Sequence, residues 1–242
     1  IIVFVCFLFT AIIIGTYSQE PDNTWIKDIT HDVGLTEAKG SRIQLVDVNG
    51  DDYPDLLWGG DVGIIKNHVR LFLNIENPDK DSPNKRIFVD YTEESGITES
   101  RLPGNDDRIA DVSAMADLDN DGDMDLLTSI YYHRLQMYNN DPGDRTEVFL
   151  NDGAGHFTMV ENNGLHDFSF VDSLPAGLIN ATGIAFLDYD YDGILDVYFS
   201  TWFVDYAANL AGLGEYKMRD FLFKGNGDGS FTHIPDAGIQ YV

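Results

Sequence analysis

The sequence predicts an all-β fold made of four-stranded antiparallel sheets, which are the blades of an incomplete β-propeller. Three observations lead to this prediction: an acidic segment that recurs at a fixed interval, short apolar runs bounded by turn residues, and no long amphipathic helical pattern. Short strands separated by regular turn signals are typical of all-β folds. Sheets of this kind, repeated around an axis, form a propeller in which each unit contacts its neighbours.

The chain begins with an almost unbroken apolar run from Ile1 to Gly15. A run of this length that ends in small residues is typical of a secretory signal, whereas a bilayer span needs ~20 apolar residues. We therefore expect residues 1–18 to be a signal peptide with a truncated start; an uncleaved anchor and a buried strand are the alternatives. The mature chain, residues 19–242, would then lack a membrane span. It would be secreted and extracellular, or periplasmic or cell-surface in a bacterium.

The only cysteine, Cys6, lies inside this apolar run, so the mature chain would contain none. Export into an oxidising compartment permits disulfides, but this chain would not be able to form them. We therefore expect another source of stabilisation.

An acidic segment recurs three times, starting at Asp47, Asp117 and Asp188, so successive copies are 70 and 71 residues apart. A second marker recurs with a similar spacing. It begins at an aromatic residue and ends several residues later at Gly-Leu or Gly-Ile. Its copies span residues 25–35, 88–97, 157–165 and 231–239. This period predicts a partial leading blade and then blades at about residues 36–97, 98–165 and 166–239. Because propellers close with 4–8 blades, we expect further blades outside this sequence.

Each repeat contains short apolar runs in the same order. In the first repeat they span residues 43–46, 56–58 and 69–73. Asn151-Asp152-Gly153 and Gly225-Asn226-Gly227 supply residues that adopt the positive φ required by tight hairpins. Each unit is therefore predicted to run as strand A, acidic loop, strand B, long loop, strand C, hairpin and strand D.

The acidic segments share the pattern Asp-x-Asp/Asn-x-Asp-x-x-x-Asp. Like charges this close together repel strongly unless a cation lies between them. Hard oxygen ligands around a tight turn match Ca²⁺, whereas Zn²⁺ prefers His or Cys and Mg²⁺ retains more water. We predict about three Ca²⁺ sites, with side-chain ligands at positions 1, 3, 5 and 9 and a backbone carbonyl at position 7. The predicted ligands are Asp47, Asn49, Asp51, Tyr53 and Asp55; Asp117, Asp119, Asp121, Asp123 and Asp125; and Asp188, Asp190, Asp192, Ile194 and Asp196.

The acidic segments allow two other interpretations. Solvated turns explain one such segment readily, but three in register between apolar strands argue against them. An EF-hand requires a bidentate Glu at position 12, where this chain has Trp58, Thr128 and Phe199. The EF-hand is therefore excluded.

Together with the Phe-x-Asp-x-Thr-like markers, the loops resemble FG-GAP/VCBS-type repeats, the calcium-binding blades of integrin-α-like β-propellers. In spacing and marker style they are most similar to the group of cartilage acidic protein and ASPIC/UnbV proteins. The resemblance covers about residues 24–242 and implies the same side-chain ligands. One departure is Asp52, where the family usually has Gly, as at Gly122 and Gly193. We expect left-handed backbone at this position, which Asp tolerates at a cost.

Calcium is expected to be structural, and recognition is expected on the face opposite the acidic loops. Long connections between strands B and C lie there, and loops of this length usually carry function. Their aromatic and histidine residues either pack between blades or form a recognition surface for protein or glycan. They are Tyr131, Tyr132, His133, Trp202 and Tyr206; Asp61 holds the position equivalent to Tyr131 and Trp202. The favoured function is an extracellular binding or adhesion module.

The chain has 15 Lys and Arg against 41 Asp and Glu, a net charge of −26, which excludes nucleic-acid binding through basic patches. Three Ca²⁺ would reduce the net charge to −20. No catalytic motif is visible, and we expect no enzyme activity. The alternative is a propeller domain of a secreted carbohydrate-active enzyme, a polysaccharide lyase or hydrolase. Four histidines, His133, His156, His166 and His233, are expected to be surface or packing residues.

Overall fold

A computed structural model of the chain describes residues 26–36, 42–59, 69–101, 110–129, 146–165, 181–201 and 220–238. These residues form twelve β-strands and one short helix, so the predicted all-β class is confirmed. The predicted signal peptide and the long-loop residues Asp61, Tyr131, Tyr132, His133, Trp202 and Tyr206 lie outside the described residues. Within those ranges, no helix is long and apolar enough to cross a membrane.

The strands form three four-stranded antiparallel sheets, here called blades 1, 2 and 3, and strand order follows chain order in each. Blade 1 contains β1 (Arg42–Val46), β2 (Asp55–Gly59), β3 (Val69–Glu76) and β4 (Arg86–Asp90), followed by helix α1 (Thr92–Ser95). Blade 2 contains β5 (Val112–Ala116), β6 (Asp125–Ser129), β7 (Glu147–Asn151) and β8 (Phe157–Met159). Blade 3 contains β9 (Ala181–Leu187), β10 (Asp196–Thr201), β11 (Phe221–Gly225) and β12 (Phe231–His233).

The core lies between the blades, because the second and third strands are buried on both faces. Adjacent residues of β6 point in opposite directions: Leu126 packs in the cluster shared with blade 1, and Leu127 packs in the cluster shared with blade 3. In β7, Phe149 pairs with Leu126 and Val148 pairs with Leu127, so each pair joins the same cluster. Burial on both faces explains why these strands are continuous apolar runs without alternation.

The first strands of neighbouring blades lie side by side. Gln44 of β1 donates from Nε2 to the Ser113 carbonyl of β5 at 2.7 Å and accepts the Met115 N–H at 3.2 Å. One Gln side chain therefore joins two inner strands much as a further backbone pairing would. This arrangement matches a propeller in which strand A lies nearest the axis.

The Gly-Leu markers join each repeat to the next blade. Gly34, Gly96 and Gly164 have φ values of 87°, 80° and 73°, which favour glycine. A Cβ on Gly96 would lie 2.6 Å from the Phe157 carbonyl oxygen, and Cβ atoms on Gly34 and Gly164 would meet the Phe88 and Phe231 carbonyl oxygens even more closely. The backbone beside each glycine therefore packs directly on the fourth strand of the following blade.

Backbone hydrogen bonds reinforce two of these contacts. Phe88 donates its N–H to the Val33 carbonyl at 2.8 Å, and Phe231 donates to the Asn163 carbonyl at 2.9 Å. Each acceptor immediately precedes a marker glycine. The marker therefore acts as a joint between blades.

Candidate metal centres

Each acidic segment is the connection between the first and second strands of a blade. We call residues 47–55, 117–125 and 188–196 loops 1, 2 and 3, and all fifteen predicted ligands lie in them. Two positions of each loop have left-handed backbone. At position 6, Asp52 (φ 66°), Gly122 (99°) and Gly193 (85°) adopt the conformation that the sequence predicts. At position 4, Gly50 (70°), Asn120 (64°) and Tyr191 (61°) also adopt it, which the sequence analysis missed.

The aspartate at position 9 is buried in every loop and accepts two backbone N–H groups. One donor is the residue at position 2 of the same loop, and the other lies on the third strand of the blade. The N–H groups of Val48 and Asn74 bond to Asp55 at 3.1 and 2.8 Å, those of Leu118 and Asn151 bond to Asp125 at 2.8 and 2.9 Å, and those of Tyr189 and Gly225 bond to Asp196, both at 2.9 Å. These aspartates therefore tie each loop to its sheet.

The aspartate at position 1 accepts N–H groups from positions 5 and 6, which closes the turn around its carboxylate. Asp117 accepts from Asp121 and Gly122, both at 3.1 Å, and Asp188 accepts from Asp192 and Gly193 at 3.1 and 3.0 Å. A carboxylate offers about four lone-pair positions. These bonds therefore orient the oxygens and still leave lone pairs for a cation.

Three of the four predicted side-chain ligands, those at positions 1, 3 and 9, converge in loop 2 and again in loop 3. Carboxylate oxygens of Asp117, Asp119 and Asp125 lie within 4.8 Å of one another, and those of Asp188, Asp190 and Asp196 do the same. In loop 1 the third position is Asn49, whose amide oxygen accepts the Asp51 N–H at 3.2 Å; Asp119 accepts the Asp121 N–H at 3.3 Å in the same way. The donor sets consist of oxygen alone and carry multiple negative charges, so they fit Ca²⁺ and not Zn²⁺.

The pKa shifts show the cost of collecting these carboxylates. Burial raises the pKa of Asp125 to about 6, although backbone N–H groups from Asn151 and Leu118 oppose the shift. Burial also raises the pKa of Asp55. The pKa of Asp119 is raised by burial and by the charge of Asp121. A bound cation would favour the ionised forms and so relieve this cost.

Cationic side chains from the sheets reach loops 1 and 3. Arg86 donates from Nη2 to Asp51 Oδ2 at 3.1 Å, and its guanidinium carbon lies 3.3 Å from the centre of the Tyr53 ring. Lys224 contacts Asp190, and its Nζ lies 2.6 Å from Asp192 Oδ2, which lowers the pKa of Asp192. The role of Lys224 was not predicted from the sequence. The available signal was a lysine in β11 where β3 and β7 have Leu73 and Leu150.

The two described histidines among the four considered make surface and packing contacts, as expected. His156 Nε2 lies 2.7 Å from the Tyr91 hydroxyl, and its Nδ1 lies 3.1 Å from Asp152 Oδ2, so this partly exposed group joins blades 1 and 2. His233 packs with its ring centroid 5.2 Å from that of Phe223, and burial lowers its pKa. His133 and His166 lie outside the described residues.

Comparison with known proteins identifies the repeat type. Residues 117–199, which include loops 2 and 3, match the family model of the FG-GAP-like repeat. The resemblance to FG-GAP-type repeats is therefore confirmed over this segment. No curated protein matches the chain.

Among solved structures, the chain is similar to a lectin of Agrocybe aegerita whose structure is described as the basis of specific recognition of non-reducing terminal N-acetylglucosamine. The two share 16% sequence identity with a TM-score of 0.42, over 85% of this chain and 40% of the lectin chain. The chain thus spans less than half of the length of that lectin.

Proposed function

We propose that this chain, which carries an FG-GAP-like repeat, is a calcium-stabilised β-propeller module of an extracellular protein and that it binds a protein or glycan partner. The observation that carries the calcium assignment is the convergence of three carboxylates, one of them fully buried, in loop 2 and again in loop 3. In this proposal the ligands are the side chains at positions 1, 3, 5 and 9. The carbonyls of Tyr53, Asp123 and Ile194 add a fifth protein ligand to each site.

Calcium would stabilise the blades because it binds the folded loops and not the unfolded chain. Extracellular calcium modules have dissociation constants of about 10⁻⁴–10⁻³ M. At about 10 mM Ca²⁺, mass action then contributes roughly 1.4–2.7 kcal/mol per site. For a chain of this size, each kcal/mol raises the melting temperature by about 2–4 °C. We therefore expect chelation to lower the melting temperature by several degrees or more.

The test compares melting temperatures in Ca²⁺, in Mg²⁺ and in chelator. Asp188→Ala is expected to remove the stability that calcium adds at loop 3 and thus to lower the melting temperature in Ca²⁺. Asp81→Ala is the matched control, because Asp81 is an exposed aspartate outside the acidic loops. A melting curve that is indifferent to calcium, chelator and Asp188→Ala would contradict the calcium assignment.

The binding role is supported by the position of the calcium loops, all of which connect first to second strands at one end of the blades. In this proposal the connections between second and third strands, which lie outside the described residues, carry the recognition surface. We expect calcium-loaded protein to bind a component of a glycan or matrix-protein array. Release of unsaturated products from acidic polysaccharides would instead favour a lyase.

A further inference from the structure

A continuous chain of hydrogen bonds connects loop 1 to loop 2. Asp55 Oδ2 accepts the N–H of Val48 at 3.1 Å, and the Val48 carbonyl accepts from Nδ2 of Asn151 at 2.8 Å. The backbone N–H of Asn151 in turn donates to Asp125 Oδ1 at 2.9 Å. The two ends of this chain are the buried position-9 aspartates of the two loops.

Both N–H donors of the Asn151 side chain are used in this connection, and its amide oxygen is also bonded. Its Nδ2 donates to the Val48 carbonyl of loop 1 and, at 3.2 Å, to the Met124 carbonyl of loop 2, while its Oδ1 accepts the Gly155 N–H at 3.1 Å. Two carbonyls and one N–H group fix the orientation of the amide. Val48, Asn151 and both aspartates are buried. In such surroundings hydrogen bonds polarise one another, and a broken bond leaves a desolvated polar group.

Blade 3 lacks this connection. Gly225 occupies the position of Asn151, because its N–H donates to Asp196 as that of Asn151 donates to Asp125, but it has no side chain to reach loop 2. Loops 2 and 3 are joined instead by Asn120, whose Nδ2 donates to the Gly193 carbonyl at 3.0 Å. This bond is exposed, so water can replace it at little cost.

We propose that calcium binding at loops 1 and 2 is thermodynamically coupled through Asn151, and that loop 3 binds nearly independently. This inference rests on the proposed calcium function. An ion that orders loop 1 fixes the Val48 carbonyl, and with it Asn151 and the N–H that holds Asp125. The second ion then meets a loop whose ordering cost is already reduced. Coupling energies between sites commonly change affinity by 5–150-fold, and we expect about fivefold here.

The experiment is a calcium titration by isothermal calorimetry on the full chain carrying Asp188→Asn, which removes the loop 3 site. We expect two ions to bind, the second about fivefold more tightly than the statistical expectation. Adding Asn151→Ala should make the two sites independent. Asn74→Ala is the matched control, because within the described residues its side chain bonds inside blade 1: Nδ2 donates to the Pro54 carbonyl at 3.1 Å, and Oδ1 accepts from Arg86 Nε at 2.9 Å. We expect this control to keep the cooperativity while it loses stability.

A second measurement covers the case in which Asn151→Ala fails to fold. With Asp47→Ala in the otherwise native chain, the affinity of loop 2 is followed through the amide resonances of Leu118 and Asn151, and we expect it to fall about fivefold. Absence of calcium binding in every variant would refute the proposed function itself. Calcium binding without cooperativity in the parent, or a loop 2 affinity unaffected by Asp47→Ala, would overturn the coupling alone.

Discussion

Replacing Gly164 by alanine is expected to destabilise the chain by about 3 kcal/mol more than the same replacement at Gly238. Each glycine belongs to the Gly-Leu or Gly-Ile pair that ends a marker, and both have a φ of 73°. The strain of placing alanine in left-handed backbone, about 1–2 kcal/mol, is therefore common to the two variants. They differ in surroundings: a Cβ on Gly164 would overlap the Phe231 carbonyl oxygen, whereas one on Gly238 meets no described atom within 4 Å.

The extra cost at Gly164 has two sources. Phe231 belongs to β12, so its carbonyl has to move by about 1 Å with the strand to reach normal contact, and overpacking of this kind costs about 1–3 kcal/mol. The same movement weakens the bond from Phe231 N–H to the Asn163 carbonyl at 2.9 Å, which contributes about 1 kcal/mol. A difference of about 3 kcal/mol corresponds to roughly 6–12 °C in melting temperature for a chain of this size.

The assay is urea unfolding followed by fluorescence, with all variants saturated with calcium so that the loops stay in one state. Gly193→Ala provides a second control, because its φ is 85° and nothing lies within 4 Å of its Cβ. If Gly164→Ala and Gly238→Ala lower the free energy of unfolding equally, within about 0.5 kcal/mol, then the marker is only a turn and not a joint between blades.

Three further changes test separate features. Tyr191 is 90% exposed and has a φ of 61°, so Tyr191→Gly should relieve backbone strain and raise the free energy of unfolding by about 0.5 kcal/mol. Tyr189→Gly, at a position without positive φ, should lower the free energy of unfolding. If Tyr191→Gly also lowers it, the backbone at Tyr191 is not strained. Because the pKa of Asp125 is raised to about 6, protons should compete with calcium for this carboxylate. Calorimetry should therefore show that the affinity of loop 2 for calcium falls as the pH drops below about 6. By the same linkage, the calcium-free protein gains stability from protonated Asp125 at low pH and loses it as the pH rises through about 6. If Asp125→Asn leaves the pH dependence of the melting temperature in chelator unchanged between about pH 5 and 7, this linkage is refuted. Arg101 forms a bidentate ion pair with buried Glu147, at 2.8 and 2.6 Å, so Arg101→Met should lower the free energy of unfolding by about 3 kcal/mol, measured by urea unfolding. Adding Glu147→Gln should recover much of that stability, because it removes the charge left buried. A double variant no more stable than Arg101→Met would refute this explanation.

The fold could be predicted because every blade needs the same turn chemistry at the same place. The position-6 residue is an example: its left-handed backbone was predictable even at Asp52, since loops 2 and 3 have Gly there. Position 4 was not predictable, because Asn120 and Tyr191 give no common signal for the same backbone. Gly50 and Asn120 favour left-handed backbone, but Tyr191 does not.

The contacts between repeats escaped prediction for a different reason. Asn151 bonds to Val48 across 103 residues of sequence, and such a pair leaves no local pattern. The position-9 aspartates were predicted only as ligands, yet each also holds two backbone N–H groups that belong to different parts of its blade. The burial of these side chains, and the residues to which they bond, depend on how the sheets stack. The period of the repeat does not specify this stacking.

The joint between blades has a consequence for how such a chain can change its length. Each repeat contributes an aromatic residue, such as Phe157, that fits the glycine before it, and a glycine, such as Gly164, that receives the aromatic after it. Every unit of about seventy residues therefore carries both complementary halves of the same connector. An in-frame duplication or deletion of one whole unit would bring matching halves together again, so blades can be gained or lost in evolution without a new interface having to arise.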